Sequence, residues 1–306
     1  MRKVLLMQKV GIVVQLLSRK FISLEVGDRI PTIEECVEEF DSSRGTIQTA
    51  LNMLQEDKAI SLRPKGHMGT FVTEIDRVKL LEISGIKTIV GVMPLPYSKK
   101  YEGLATGIYS TLQENGLNAA LAFMHGSNYR LNGLLEERYD FAIMSQLTAQ
   151  YYLDRGENID IVENFGEFTY VGKHVLLTRE DYHGNFENCK VGIDHSSVDQ
   201  KTLTLSFFAD KNVKYVPLIY SQIVPFIDAG NIDAAIWNLD DIDLVGNHLR
   251  YETLDQKQIS IIDTNAVVVC KKGNTQVFQI LKRMLEREKV LRIQKAVVSG
   301  KVMPKY

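Results

Sequence analysis

Two groups of side chains in this 306-residue sequence are spaced for chemistry. The first lies between Ser42 and Val72. Ser43 offers an N-cap oxygen, and Ile47, Ala50, Leu51 and Leu54 recur at i, i+3, i+4 and i+7, which predicts a short helix with one apolar face. Its other face carries Gly45, Gln48, Thr49 and Asn52, all short, uncharged and hydrogen-bonding, where an ordinary solvated helix carries Lys and Glu. Short donors and acceptors on a helix that can approach closely suit base edges in a DNA groove. Lys65 and His67 follow at the tip of a glycine-bearing hairpin, placed to reach phosphate or the minor groove. Alone, such a hairpin reads as a solvated turn; the helix before it turns the reading toward nucleic acid.

The second group stands at the carboxyl ends of apolar strands, where open α/β sheets bind ligands. It comprises Tyr97, Ser98 and Tyr101 after the first such strand, and Ser145 with Gln146 after Tyr139–Met144. Ser196 and Ser197 follow Ile193-Asp194, and Trp237 with Asn238 ends another strand. The Ser196-Ser197 pair opens a helix whose unpaired N–H groups and hydroxyls can receive a carboxylate or phosphate. The plain alternatives are an N-cap for Ser196 and a core or interface place for Trp237, the only tryptophan. Asp194-His195 at the same strand end leaves a hydrolase or transferase open as a competing reading.

Other chemistries lack their residues. There is no Gly-x-Ser-x-Gly, no His-Glu-x-x-His and no phosphate loop with its lysine. His125, His174, His183, His195 and His248 are not spaced as a local metal site. No cofactor, metal or catalytic residue is expected.

The elements that position the first group are legible nearby. Residues from about Lys3 to Phe21 place Leu6, Val10, Val13, Val14 and Leu17 on one helical stripe. Thr32 and Glu35 form a capping box for a second helix, with Cys36, Val37 and Phe40 turned inward. Strands at Ala59–Leu62 and Thr70–Thr73 flank the hairpin tip. Gly27-Asp28-Arg29-Ile30-Pro31-Thr32, Ser43-Arg44-Gly45-Thr46-Ile47, Ala50-Leu51 and Gly69-Thr70-Phe71-Val72, in this order and spacing, resemble the winged helix-turn-helix of the GntR family of bacterial regulators. The resemblance covers roughly the first quarter of the chain. It implies a homodimer that contacts operator DNA through Arg44, Thr46, Gln48, Thr49 and the wing residues Lys65 and His67. Glu34 and Gln48 depart from it, because many members carry DNA-contacting arginines there. Losing those charges removes phosphate attraction, so weaker or more salt-sensitive binding is expected.

Composition sets the bounds. The length suits two domains, and 36 basic against 38 acidic residues leave a net charge of −2, so any attraction to DNA is local. Up to Thr73 the balance is 10 Lys+Arg to 9 Asp+Glu, which leaves 26 to 29 for the rest. Cys36, Cys189 and Cys270 lack metal spacing, and an odd, scattered trio suits a reduced compartment. The start has no cleavage-site pattern, and no apolar run is long enough to span a bilayer, which points to a cytoplasmic protein without membrane attachment.

After a segment at 74–84 that is too apolar for a free tether, strands and helices alternate, which predicts parallel sheets covered by helices. Tyr139-Asp140-Phe141-Ala142-Ile143-Met144 has an echo in Ile232-Asp233-Ala234-Ala235-Ile236-Trp237, each after a helix, suggesting two lobes of similar build. Strands at His174–Thr178 and Ala266–Cys270 would carry the chain between the lobes, and a last helix over Gln276–Glu288, with its tail, would return to the first. This layout resembles the type II periplasmic-binding-protein fold and, behind a GntR-like head, the YhfZ-type regulators. The fold expected is thus α/β overall: an N-terminal winged helix-turn-helix (1–73), a linker (74–84) and a two-lobed α/β domain (85–306). Lobe 1 takes about 85–176 and 266–306, and lobe 2 about 177–265. The function expected is a DNA-binding transcriptional regulator with a small polar, acidic effector. A metabolite-processing enzyme and a solute-binding protein are the alternatives.

Overall fold

Apolar spacing builds the head. In the computed structural model, which describes residues 9–86, 88–240, 242, 248–254 and 261–306, α1 spans Lys9–Phe21, α2 Ile33–Phe40 and α3 Arg44–Glu56. Leu6 and the rest of the predicted start of α1, and Lys87 at the start of the next domain's first strand, lie outside the described residues. Val13 and Leu17 of α1 and Ile47, Ala50 and Leu54 of α3 are buried. Each large aliphatic side chain among them contributes about 1.5–3 kcal/mol. Thr32 and Glu35 close the predicted capping box, and Ser43 Oγ accepts the Thr46 N–H at 3.2 Å.

The wing follows as β1 (Ile60–Pro64) paired antiparallel with β2 (Thr70–Ile75). Gly27–Ile30 adds a third edge, through Gly27 N–H to Val72 O at 2.8 Å and Ile30 N–H to Thr70 O at 2.9 Å. At the tip, Gly69 has φ +97°, and a Cβ there would stand 2.6 Å from Arg29 Nε. Gly69→Ala is therefore expected to cost about 1–3 kcal/mol of backbone strain and to loosen the tip. Hydrogen exchange at the Lys65 amide, bonded to Gly69 O at 2.8 Å, checks this, and unchanged protection and stability would refute it.

The segment after the wing is a helix, α4 (Arg77–Ser84), capped by Asp76 and packed on α1 through buried Leu80 and Leu81. It belongs to the first of two compact units. That unit holds the chain up to Ile89 together with Leu112–Ala119 and Thr275–Met284; the second holds Val90–Thr111, Ala120–Asn274 and Leu285–Tyr306.

The remaining elements in chain order are β3 (Ile89–Met93), α5 (Lys99–Glu114), β4 (Ala119–Phe123), α6 (Ser127–Leu135), β5 (Phe141–Ser145), α7 (Gln146–Asp154) and β6 (Ile159–Asn164). Then come β7 (His174–Arg179), β8 (Lys190–Ile193), α8 (Val198–Phe207), β9 (Lys214–Pro217), α9 (Ile223–Asp228), β10 (Ala234–Asn238) and β11 (Leu249–Thr253). The chain ends with β12 (Ala266–Lys271), α10 (Thr275–Met284) and α11 (Arg287–Val298).

Two five-stranded sheets result, ordered β4-β3-β5-β12-β6 and β11-β7-β10-β8-β9. They are mixed, not wholly parallel. β3 and β5 run parallel, as do β8, β9 and β10, but β12 is antiparallel to β5 and β6, and β7 to β10 and β11. β7 and β12 enter their sheets from the other lobe, so no helical crossover within one sheet sets their direction.

The echo is geometric as well as sequential. Asp140 Oδ2 accepts the Val90 N–H at 2.7 Å, and Asp233 Oδ2 accepts the Lys190 N–H at 2.7 Å. In each lobe an aspartate before the central strand accepts from an amide at the start of its parallel neighbour, a group that needs a partner. Elements α7, β6 and β11 were not anticipated. The predicted final helix breaks at Leu285-Glu286: α10 groups with the first unit and α11 with the second, where Gln294 Nε2 donates to Lys100 O at 3.1 Å and Thr169 O at 2.7 Å.

Candidate functional site

On the head, Arg44, Gln48, Thr49, Lys65 and His67 are exposed, and Thr46 is half-buried. Thr49 Oγ1 donates to Gly45 O at 2.9 Å, Gln48 Nε2 to Asn52 Oδ1 at 3.2 Å, and Thr46 Oγ1 lies 2.9 Å from Ser43 Oγ. Lys65 Nζ sits 4.5 Å from the centre of the Phe71 ring. The departure noted at Glu34 has a structural counterpart, because its carboxylate pairs with Arg44 Nη1 at 2.5 Å. The cation nearest the start of α3 is thus already held by an acidic neighbour on α2.

Between the two sheets of the second unit lies a cavity with about 50 Å³ of free volume, room for a water molecule or two. Of the predicted ligand residues, Tyr97, Tyr101 and Ser197 line it. Ser98, Ser145, Ser196, Trp237 and Asn238 stand outside the lining. Ser98 and Ser145 are buried at the starts of α5 and α7, and Asn238 accepts the Asp240 N–H at 2.9 Å. Trp237 stacks on Tyr220 with ring centres 3.8 Å apart, so it supports a wall residue from behind.

The lobes meet directly around this cavity. Ser127 Oγ of α6 accepts the Val198 N–H at 3.0 Å, and Asn128 N–H donates to Ser196 O at 3.1 Å. Ser196 Oγ bonds Asp194 Oδ1 at 2.6 Å and lies 3.3 Å from His125 Nε2. Gly126, with φ +74°, has no room for a Cβ, which would stand 2.6 Å from Ser196 Oγ. Ser127 therefore takes one of the α8 amides that looked open for a ligand. Val198 inserts into the core of lobe 1, and Leu147 packs against that of lobe 2.

Residues outside the sequence-predicted set supply most of the charge. Arg130 is 4% exposed; its Nη1 donates to Met124 O at 2.9 Å and its Nη2 to Tyr170 OH at 3.4 Å. Its Nε has no hydrogen-bond partner among the described residues. The signal was available, since Ser127, Arg130, Leu131 and Leu134 share the buried face of α6, and a charge in that register needs a reason. Tyr101, Tyr170 and Tyr220 complete an aromatic wall. Burial pushes the Tyr170 hydroxyl up to about 12 and raises Tyr101 and Tyr220 as well, so all three stay protonated donors.

His174 Nδ1 lies 2.6 Å from Asp263 Oδ2, both buried, and the pair joins the two interlobe crossings. Asp194 does not act with His195: it accepts from Ser196 and, at 2.9 Å, from the Tyr220 amide, while His195 is exposed. No cluster of three or more His, Cys, Asp or Glu suited to a metal occurs among the described residues, and the three cysteines are buried and free.

Asp199 latches the lobes, its Oδ1 accepting from Ser145 Oγ at 2.6 Å and Thr148 Oγ1 at 2.9 Å. Burial lifts its carboxyl above the usual range, opposed by the Ser145 hydroxyl, His174 and the Thr148 hydroxyl. A raised folded-state value means that the neutral form stabilises the fold below the unfolded carboxylate range, and that this contribution is lost as pH rises through the folded value. Asp199→Asn keeps an acceptor for both hydroxyls and should flatten that loss over the pH range above the unfolded carboxylate value of about 4. Urea denaturation across this window decides it; an identical slope in the variant would assign the pH dependence elsewhere.

Fold and site together define a helix-turn-helix protein with a two-lobed α/β domain of the solute-binding-protein kind. A helix-turn-helix domain model matches residues 25–72, and a YhfZ C-terminal domain model matches residues 76–306. The chain belongs to the YhfZ family. It is 34% identical over 302 residues to the YhfZ protein of Escherichia coli K12, covering 98% of each chain. The crystal structure of YhfZ from Shigella flexneri is 36% identical and superposes with a TM-score of 0.64, over 75% of this chain and 97% of that one. An ancestral arginine-binding protein bound to arginine matches at 14% identity with a TM-score of 0.52, over 70% of this chain and 97% of that one, a likeness of fold alone. The family architecture is that of a DNA-binding regulator with a domain built like ligand-binding folds. No described helix is long and apolar enough to cross a membrane.

Proposed function

We propose that the chain is a cytoplasmic transcriptional regulator whose GntR-like head (1–73) binds operator DNA and whose two-lobed domain (85–306) senses a small polar, acidic metabolite. The observation that carries the effector reading is Arg130. A guanidinium this buried, with one nitrogen unpaired and no ion pair among the described residues, costs several kcal/mol unless an anion joins it. A carboxylate entering the cavity would supply that anion, and the tyrosine hydroxyls would bond the rest of the ligand.

The free volume is too small for a metabolite, so the effector enters with the lobes parted and is enclosed when they close. In a homodimer such closure would change the spacing of two heads and hence operator affinity. Thermal-shift screening of carboxylates and amino acids, followed by operator-binding titrations with each stabiliser, tests the reading. A stabiliser that leaves operator affinity untouched would remove the regulatory link.

The enzyme alternative draws on a different observation, the buried His174–Asp263 pair on the cavity wall, which holds an imidazole in one orientation. Protein-dependent turnover of the stabilising compound, lost in His174→Gln, would favour it.

A further inference from the structure

The loop and helix that wall the Arg130 cavity also wall a second one. Ser197, Asp199 and Gln200 face the first cavity, whereas His195, Val198 and Lys201 line a separate cavity of about 300 Å³, closed on the lobe 1 side by Tyr151 and Arg155 of α7 and its cap. Three of its lining groups are basic, and among the described residues no Asp or Glu lines it. Lys201 and Arg155 form no ion pair among the described residues.

The Arg155 guanidinium lies over the Tyr151 ring at 4.3 Å. Such stacking uses the faces of both groups and leaves the N–H edge free to donate. Val198 forms an apolar floor and Leu205 an exposed apolar rim. Gathered cations without a counter-charge focus a positive potential, and a volume at the low end of small-molecule sites limits the size of the anion.

We propose that this cavity is a second, separate binding site for a small phosphate monoester. The phosphate sits between Arg155 and Lys201, and the organic part lies against Tyr151 and Leu205. Because Arg155 belongs to lobe 1 and Lys201 to lobe 2, the bound anion ties the lobes together and favours their closed arrangement. The site does not depend on the reading of the Arg130 cavity.

Phenyl phosphate is the probe, titrated calorimetrically into the full chain, with inorganic phosphate and phenol as comparisons at matched ionic strength. The expected result is saturable one-site binding of phenyl phosphate, weaker binding of inorganic phosphate and none of phenol. The double variant Arg155→Gln/Lys201→Gln should weaken phenyl phosphate by at least about ten-fold, because two charge-assisted contacts are lost, whereas Lys201→Arg should retain binding. Both positions have accessible side chains, and an unchanged thermal midpoint verifies the fold of each variant.

Arg130→Met should leave this affinity within about two-fold, as expected for separate sites. Three outcomes overturn the proposal: no saturable binding to the native chain, binding that survives the double variant, or binding that Arg130→Met abolishes. The last would put the phosphate in the first cavity and leave the effector reading standing.

Discussion

Replacing Arg130 by methionine is expected to abolish the proposed effector response while leaving the unliganded protein as stable as before or more so. The side chain is buried on α6, its Nε is unpaired and it has no ion pair among the described residues, so in the absence of a ligand it is a desolvated charge with no direct partner. Exchanging such a group for an apolar one of similar length is neutral or stabilising. With an acidic ligand present the sign reverses, because losing one partner of a buried charge pair costs about 2–5 kcal/mol, which is more than about ten-fold in affinity. Chemical denaturation with and without the stabilising ligand separates the two effects. Arg130→Lys should recover only part of the response, since an ammonium reproduces the charge but not the planar donor fork. A full ligand-induced shift in Arg130→Met would place the anion elsewhere.

Arg44→Ala should weaken operator binding by about 1–3 kcal/mol at matched salt. Glu34→Gln should act in the opposite direction. The Glu34–Arg44 pair is exposed, so it adds about 1 kcal/mol or less to folding, but it offers the Arg44 guanidinium a competitor to DNA phosphate and places a negative charge beside the groove-facing helix. Removing that charge should raise operator affinity several-fold and steepen its salt dependence, since one more phosphate contact forms. The same substitution made in Arg44→Ala should help less, which a fluorescence-polarisation titration of all four proteins measures as a coupling. Equal gains in both backgrounds would mean that Glu34 acts only through general repulsion.

The two cavities share α8 and the loop before it, and both are walled by both lobes. Their separation follows from one turn of helix: Asp199 and Gln200 point to one side, and Val198 and Lys201 to the other. Asp199, bonded to Ser145 and Thr148, holds the first turn of α8 against the start of α7. A change at this latch therefore bears on both cavities at once.

The head was legible from the sequence by itself, because its signals are local. The Ser43 cap, the Thr32–Glu35 box, the apolar stripe of α3 and the glycines of the wing each act within a few residues of their own position, and each recurs in the structure as expected. The two-lobed build was legible from strand–helix alternation and from the repeated aspartate before β5 and β10, whose carboxylates prove to make the same bond. Of the strand-end residues, Tyr97, Tyr101 and Ser197 line the first cavity. Only the tertiary structure decided the remainder. The direction of β7 and β12 depends on where the chain crosses between lobes, and the break before α11 on which unit each half packs against. Arg130, Tyr170, His174 and Tyr220 stand 40, 4 and 46 positions apart in the chain, and no periodicity links them. They become one wall because strand ends and helix starts of the two lobes meet there, and burial then leaves an arginine on a helix without an ion pair among the described residues.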